Sequence, residues 1–220
     1  MINILERQFD PSARGDATVN AMNTIKECFE VILGGNKDES RLAARRVRKL
    51  VYSSGVNDKY EDISNLVKSA PVEYNKIFED WRQENFASAI SVIYFLHDKE
   101  TEPSFLFPWL FQLLLHANGV IRYAAVRMFC HELGPLTVYI RIPDFEPDGL
   151  TNFKPKQADA ILFSLFMDLN KLLESVWKPA YKKYKYISSL PACSYKSIQM
   201  VMAKIEELCG AEYVAELAEQ

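Results

Sequence analysis

Residues 103–134 read PSFLFPWLFQLLLHANGVIRYAAVRMFCHELG. In the first half Leu106, Trp109, Leu110, Leu113 and Leu114 recur at i, i+3, i+4, i+7 and i+8, which makes one wide apolar helix face. Ser104 is placed to cap that helix, and Pro108 then falls in its first turn, where no backbone donor is lost. Ala117, Asn118 and Gly119 interrupt the period, and Asn118 and Gly119 are residues that tolerate a positive φ. The period resumes with Ile121, Ala124, Ala125, Met128, Phe129 and Leu133, and Gly134-Pro135 predicts a stop. The stretch is therefore two antiparallel helices joined by a tight turn.

Working outward, the same signals recur. Val19, Met22, Ile25, Phe29, Ile32 and Leu33 predict a helix over Asp16–Leu33, ended by Gly34-Gly35. Ala43, Ala44, Val47, Leu50 and Val51 predict another over Asp38–Tyr52. Shorter helices are expected at Tyr60–Lys68, broken by Ala70-Pro71, then at Glu73–Gln83 and Phe86–His97. Residues 1–11 form a short capping helix on this reading. After the central pair, Thr137-Val138-Tyr139-Ile140-Arg141-Ile142 alternates and is β-branched, so it reads as extended. Pro143, Pro147, Gly149 and Pro155 extend this into an irregular connection at about 136–157. The strongest pattern follows, at Asp159–Trp177, where Ile161, Leu162, Leu165, Phe166, Leu169, Leu172, Leu173 and Val176 hold one face. Helices at Tyr181–Ser188, Tyr195–Cys209 and Ala211–Leu217 complete the chain, with Gly210 as a stop.

The central stretch resembles a HEAT repeat, the helix-pair unit of α-solenoids. The matching residues are Pro108, Leu110, Leu113 and Leu114 on the first helix, a short turn, and Val120, Arg122 and Ala125 opening the second. Where the family's turn usually carries an aspartate this chain has Asn118. The resemblance implies an all-α, irregular α-α superhelix of antiparallel helix pairs, HEAT/ARM-like, in a single helical-repeat domain spanning 1–220. A non-repeat helical bundle is the plain alternative.

Composition fits that expectation. Apolar residues make up 49% and charged residues 25%, and only 8 glycines are present, which disfavours a turn-rich β fold. The net charge of −3 argues against a surface built wholly for nucleic acid and leaves room for a local basic patch. Cys28, Cys130, Cys193 and Cys209 include no CxxC pair, and Cys130-His131 lacks metal-ligand spacing. They read as reduced thiols of a cytoplasmic protein with no metal and no cofactor. The segment 1–11 has no apolar run of signal-peptide length, and Ala158–Trp177 carries too many charges to span a membrane.

Two segments stand out as partner-binding candidates. Arg41, Arg45, Arg48, Lys49 and Tyr52 lie at i, i+4, i+7, i+8 and i+11, opposite Val47 and Leu50, so they project together. Clustered cations repel unless something negative answers them: phosphate, an acidic peptide, or acids on a neighbouring helix. The plain alternative is a solvated face partly paired with Asp38 and Glu39. The second candidate is Trp177, Lys178, Tyr181, Lys182, Tyr184 and Lys185, which would form adjacent aromatic and cationic stripes if the helix continued past Pro179. Against it stands packing of the aromatics on the preceding helix, with the lysines reaching to solvent.

Other motifs fail. Asp144, Glu146, Asp148 and Gly149 resemble half a calcium loop, but the position of the last ligand is Pro155. His131-Glu132 lacks the second histidine of a zinc-protease helix, and no nucleophile elbow or phosphate-binding glycine loop is present. His97, His116 and His131 lie near helix ends, where they cap C-terminal carbonyls. The expected function is a non-enzymatic protein-interaction or scaffold module with a protein partner. The alternative is nucleic-acid binding. Small bacterial DNA glycosylases acting on alkylated purines are built from HEAT-like repeats and are similar in length. None of their catalytic residues maps onto a matching position here.

Overall fold

The computed structural model describes residues 22–52, 60–97, 104–142, 154–179, 181 and 192–219. The expected capping helix at 1–11, the start of the first helix before 22 and the calcium-like residues 144–149 lie outside the described residues. Those described are helical, with no strand among them. In order the α-helices are α1 (Ile25–Gly34), α2 (Lys37–Tyr52), α3 (Tyr60–Tyr74), α4 (Asp80–Ile93), α5 (Phe107–Leu114), α6 (Gly119–Leu136), α7 (Val138–Arg141), α8 (Pro155–Val176), α9 (Ser194–Cys209) and α10 (Ala211–Glu219). A 3-10 turn, Tyr94–Leu96, follows α4.

Helices pack with their sequence neighbours as α1 on α2, α3 on α4, α5 on α6 and α8 on α9. The second member of each pair packs on the next, so α2, α4, α6 and α9 form a continuous row. One apolar core runs through them, from Ile25 and Phe29 through Ile90, Leu110 and Phe129 to Ile198 and Ile205, all at most 2% exposed. Polar clamps tie the row together. Ser40 Oγ donates to Ile32 O (3.0 Å) and accepts from Asn85 Nδ2 (3.1 Å). Arg82 Nη1 donates to the carbonyls of Ile32 and Leu33, which are among the last carbonyls of α1, while Glu79 holds the rest of its fork at 3.3 Å. Ser197 Oγ donates to Leu114 O (2.8 Å), fixing α9 on the end of α5.

Several boundaries differ from expectation, each for a reason visible in the packing. The first helix begins at Ile25 because Thr24 and Glu27 form a capping box: Thr24 Oγ1 accepts from Glu27 N while Glu27 Oε2 accepts from Thr24 N. Pro71 does not break α3, which continues to Tyr74. The phenol ring of Tyr74, 7% exposed, is packed between Phe86 and Trp109, and that burial outweighs one lost helical hydrogen bond. The helix expected over Glu73–Gln83 is divided at 75–79, where Gln83 Nε2 donates to Ile77 O (2.8 Å), and α4 then runs unbroken to Ile93.

Gly134-Pro135 likewise fails to stop α6, and Val138–Arg141 is helical where alternation suggested an extended chain. Leu136 and Val138 are buried there, and Thr137 Oγ1 donates to Leu133 O (2.7 Å) while Arg141 Nη2 donates to Gly134 O (2.9 Å). These bonds satisfy carbonyls near the proline. The irregular connection therefore does not begin at 136. Asn118 caps α6 with φ −77°, its Oδ1 accepting from Val120 N, so the central turn needs no left-handed residue. Among the described residues only Gly210 has a positive φ (88°), and it ends α9 as expected.

The tyrosines of this core couple stability to alkaline pH. Burial, and then the charge of Asp80, pushes the Tyr74 phenol up to about 12 from 10. Burial, and then the Glu132 carboxylate, holds Tyr94 well above its ordinary value. Above pH 10 the unfolded chain releases protons that the folded chain keeps, so stability must fall as pH rises. We expect the urea midpoint to drop as pH rises from 10 to 12, because the unfolded Tyr74 phenol ionises across that window and the folded one does not. A flat midpoint across that window would show that these phenols are not held protonated by the fold.

Candidate functional site

The basic row of α2 and the faces of α4 and α6 beside it enclose a groove of about 370 Å³. α2 is set by Asn36, whose Oδ1 accepts from Asp38 N and Glu39 N, both at 3.0 Å. Its buried side is Ser40, Ala43, Val47 and Leu50, which leaves Arg41, Arg45, Arg48, Lys49 and Tyr52 exposed. Arg41, Arg45 and Arg48 form one wall of the groove, whereas Lys49 and Tyr52 are not part of its lining.

α4 supplies the floor. Phe86, Ala87, Ala89, Ile90 and Ile93 are buried in the core, and the other side of the same helix presents Glu84, Asn85, Ser88 and Ser91 to the groove. Ser91 Oγ donates to Ser88 O (2.8 Å), and Asn85 is held by Ser40. Glu84 Oε2 accepts from Asn118 Nδ2 at 2.6 Å, which fixes the carboxylate and ties the start of α6 to α4. α6 makes the far wall with Val120, Tyr123, Ala124 and Arg127, at i, i+3, i+4 and i+7. Arg122, one residue from Tyr123, turns inward and donates to the carbonyls of His116 and Ala117, each at 2.7 Å. It is 6% exposed and serves the turn, not the groove.

Four guanidiniums thus face one concavity. Arg41 has a partial answer in Asp38 (3.2 Å, side chains 55% and 79% exposed). Arg45, Arg48 and Arg127 make no hydrogen bond or ion pair with any described residue. Glu84 is the single carboxylate in the lining. Like charges at i and i+4 cost an isolated helix about 0.2–0.5 kcal/mol per pair. Arg41 with Arg45, and Arg45 with Lys49, are two such pairs on α2. No histidine or cysteine lines the groove, and no group of metal-ligating side chains occurs among the described residues.

Of the second expected stripe only Trp177, Lys178 and Tyr181 fall within the described residues, and the helix expected at Tyr181–Ser188 lies outside them from 182 onward. α8 ends at Val176, and Trp177 has extended backbone (φ −64°, ψ 139°), so the helix does not continue past Pro179. Trp177 (44% exposed) and Lys178 are at the surface, while Tyr181 stacks on Tyr195 at 4.8 Å and 20°. Lys182, Tyr184 and Lys185 lie outside the described residues. The three histidines divide as well. His97 is buried, with Nδ1 donating to Tyr94 O and Nε2 3.4 Å from Glu132 Oε1, and His116 Nδ1 accepts from Asn118 N (3.0 Å). His131 lies against the ring of Phe95.

Comparison of the chain with protein-family models, with curated proteins and with solved structures gave no match in any of the three. No helix among the described residues is long and apolar enough to cross a membrane.

Proposed function

We propose that this chain is a non-enzymatic binding module, a HEAT-like array of helix pairs, whose groove across α2, α4 and α6 captures a polyanionic partner. The array reading is supported by the pairwise packing and by the row α2, α4, α6 and α9, in which each member packs on the next. The binding reading is carried by one observation: Arg45, Arg48 and Arg127 converge on a single groove with no ion pair to any described residue, and Glu84 is the one carboxylate in its lining. Uncompensated arginines around a concavity focus positive potential there even though the whole chain carries a net −3. Their planar forks suit bidentate acceptors such as phosphate and carboxylate.

The test separates binding from folding. In the triple variant Arg41→Gln, Arg45→Gln, Arg48→Gln the protein should leave an immobilised heparin column at distinctly lower salt than the parent. Its melting temperature should stay level or rise slightly, because relief of the two repulsive pairs, about 0.2–0.5 kcal/mol each, offsets loss of the exposed Arg41–Asp38 pair. Unchanged heparin retention would remove the groove from consideration as an anion site.

A further inference from the structure

The polyanion reading leaves open which anion the groove is shaped for, and the lining narrows it. We propose that the occupant is single-stranded nucleic acid, held by its phosphates along Arg41, Arg45 and Arg48 and by a base stacked on Tyr123. This rests on the groove being an anion site and adds the class of partner.

The row on α2 comes first. Arg41 to Arg48 spans seven residues, roughly 10 Å of helix axis at about 1.5 Å per residue. That length accommodates about three phosphates of one strand, which advance roughly 3.4 Å each along a duplex axis and somewhat more when extended. The opposite wall offers a different chemistry. Tyr123 and Arg127 are one turn apart on α6, both partly exposed, both in the lining. A cationic track facing an aromatic surface is how strand-binding proteins hold backbone and base together. In a duplex the base faces are already stacked on one another and offer no face to Tyr123.

Glu84, fixed in the floor of the groove, repels phosphate as it repels carboxylate, but it can accept hydrogen bonds from donors that nucleotides carry, the sugar hydroxyls and exocyclic amines. Oε2 is engaged by Asn118, and Oε1 makes no hydrogen bond to a described residue. Beside it Asn85, Ser88 and Ser91 are small and polar, while Ala44, Val92, Val120 and Ala124 add apolar surface against which a base can lie.

The experiment is fluorescence anisotropy of the full chain with dye-labelled oligouridylate and oligothymidylate, the matching duplexes, and poly-glutamate and heparin as competitors, across a salt series. We expect single strands to bind more tightly than duplexes, with log affinity falling against log salt with a slope of roughly −2 to −3 for three to four phosphate contacts. Arg45→Gln with Arg48→Gln should weaken binding by roughly tenfold or more per arginine and make the slope shallower by about 1.4. Tyr123→Ala should weaken it roughly 5- to 150-fold while leaving the slope unchanged, and Tyr123→Phe should restore it. Equal affinity for duplex with a silent Tyr123→Ala overturns the single-strand assignment. Poly-glutamate or heparin bound by the arginines in preference to every oligonucleotide overturns the nucleic-acid assignment and leaves the anion groove standing. If no polyanion binds, both readings fall.

Discussion

Glu132→Ala should unfold this protein far more readily than any surface substitution, at a cost of about 3–5 kcal/mol. Glu132 is fully buried on α6, with the His97 ring 3.4 Å away and the phenol of Tyr94 beside it. The Nδ1 of His97 points at Tyr94 O, which can only accept, so that nitrogen carries a hydrogen. The other nitrogen, Nε2, faces the Glu132 carboxylate. Removing the carboxylate leaves His97 Nε2 and the Tyr94 hydroxyl buried without that partner, since Tyr94 and Glu132 are both 0% exposed and His97 is 4% exposed. Glu132→Gln, which keeps an acceptor and supplies a donor, should cost markedly less. The pair His97→Phe with Glu132→Leu should recover most of the loss, because apolar replacements of a buried pair are often neutral. Urea denaturation of the parent, His97→Phe, Glu132→Leu and the pair forms a double-mutant cycle. If the two single losses simply add, His97 and Glu132 do not act as a unit.

That cluster also shows where sequence reasoning stops. His97 and Glu132 are 35 positions apart, and nothing local marks them as partners. What the sequence did reveal was whatever is written in short-range periodicity. The apolar faces of α2, α8 and α9 and the stop at Gly210 agree with the structure to within a few residues. The failures share a cause. Pro71, Gly134-Pro135 and the alternating run 137–142 all carry signals that break helices locally, and in each case burial of Tyr74, Leu136 or Val138 overrides them. At the groove, Arg41, Arg45 and Arg48 were legible because they share one helix. Arg127 and Tyr123 could have been found as the exposed i, i+3, i+7 stripe Val120, Tyr123, Arg127. Glu84, Asn85, Ser88 and Ser91 form a polar stripe on α4 that was equally readable. Their convergence was not, because it depends on α4 packing between α2 and α6.

That packing is set largely by one side chain, and Phe86→Ala should be the most damaging apolar truncation on α4. The Phe86 ring is 2% exposed and lies 5.6 Å from Phe29 at 87°, an edge-to-face contact that joins α4 to α1. On its other side it meets Tyr74 of α3 at 6.4 Å, and Tyr74 meets Trp109 of α5 at 5.8 Å. One chain of rings therefore links four helices. Truncation removes the buried ring and leaves a cavity, a loss of about 3–5 kcal/mol out of a total that is typically 5–15 kcal/mol. For a chain of this length the melting temperature should fall by roughly 6–20 °C. Phe86→Leu keeps most of the volume and should cost about 1–1.5 kcal/mol. Circular dichroism reads the melt, with the summed emission of Trp81, Trp109 and Trp177 as a second probe. The groove is a further readout. Phe86 shares α4 with Glu84, Asn85 and Ser88, so a floor whose core face is loosened should hold a polyanion less well in proportion to the lost stability. If Phe86→Ala melts like the parent, the ring chain is not what holds α4 between its neighbours, and the positions of the groove walls must be set by the Ser40–Asn85 and Arg82 clamps instead.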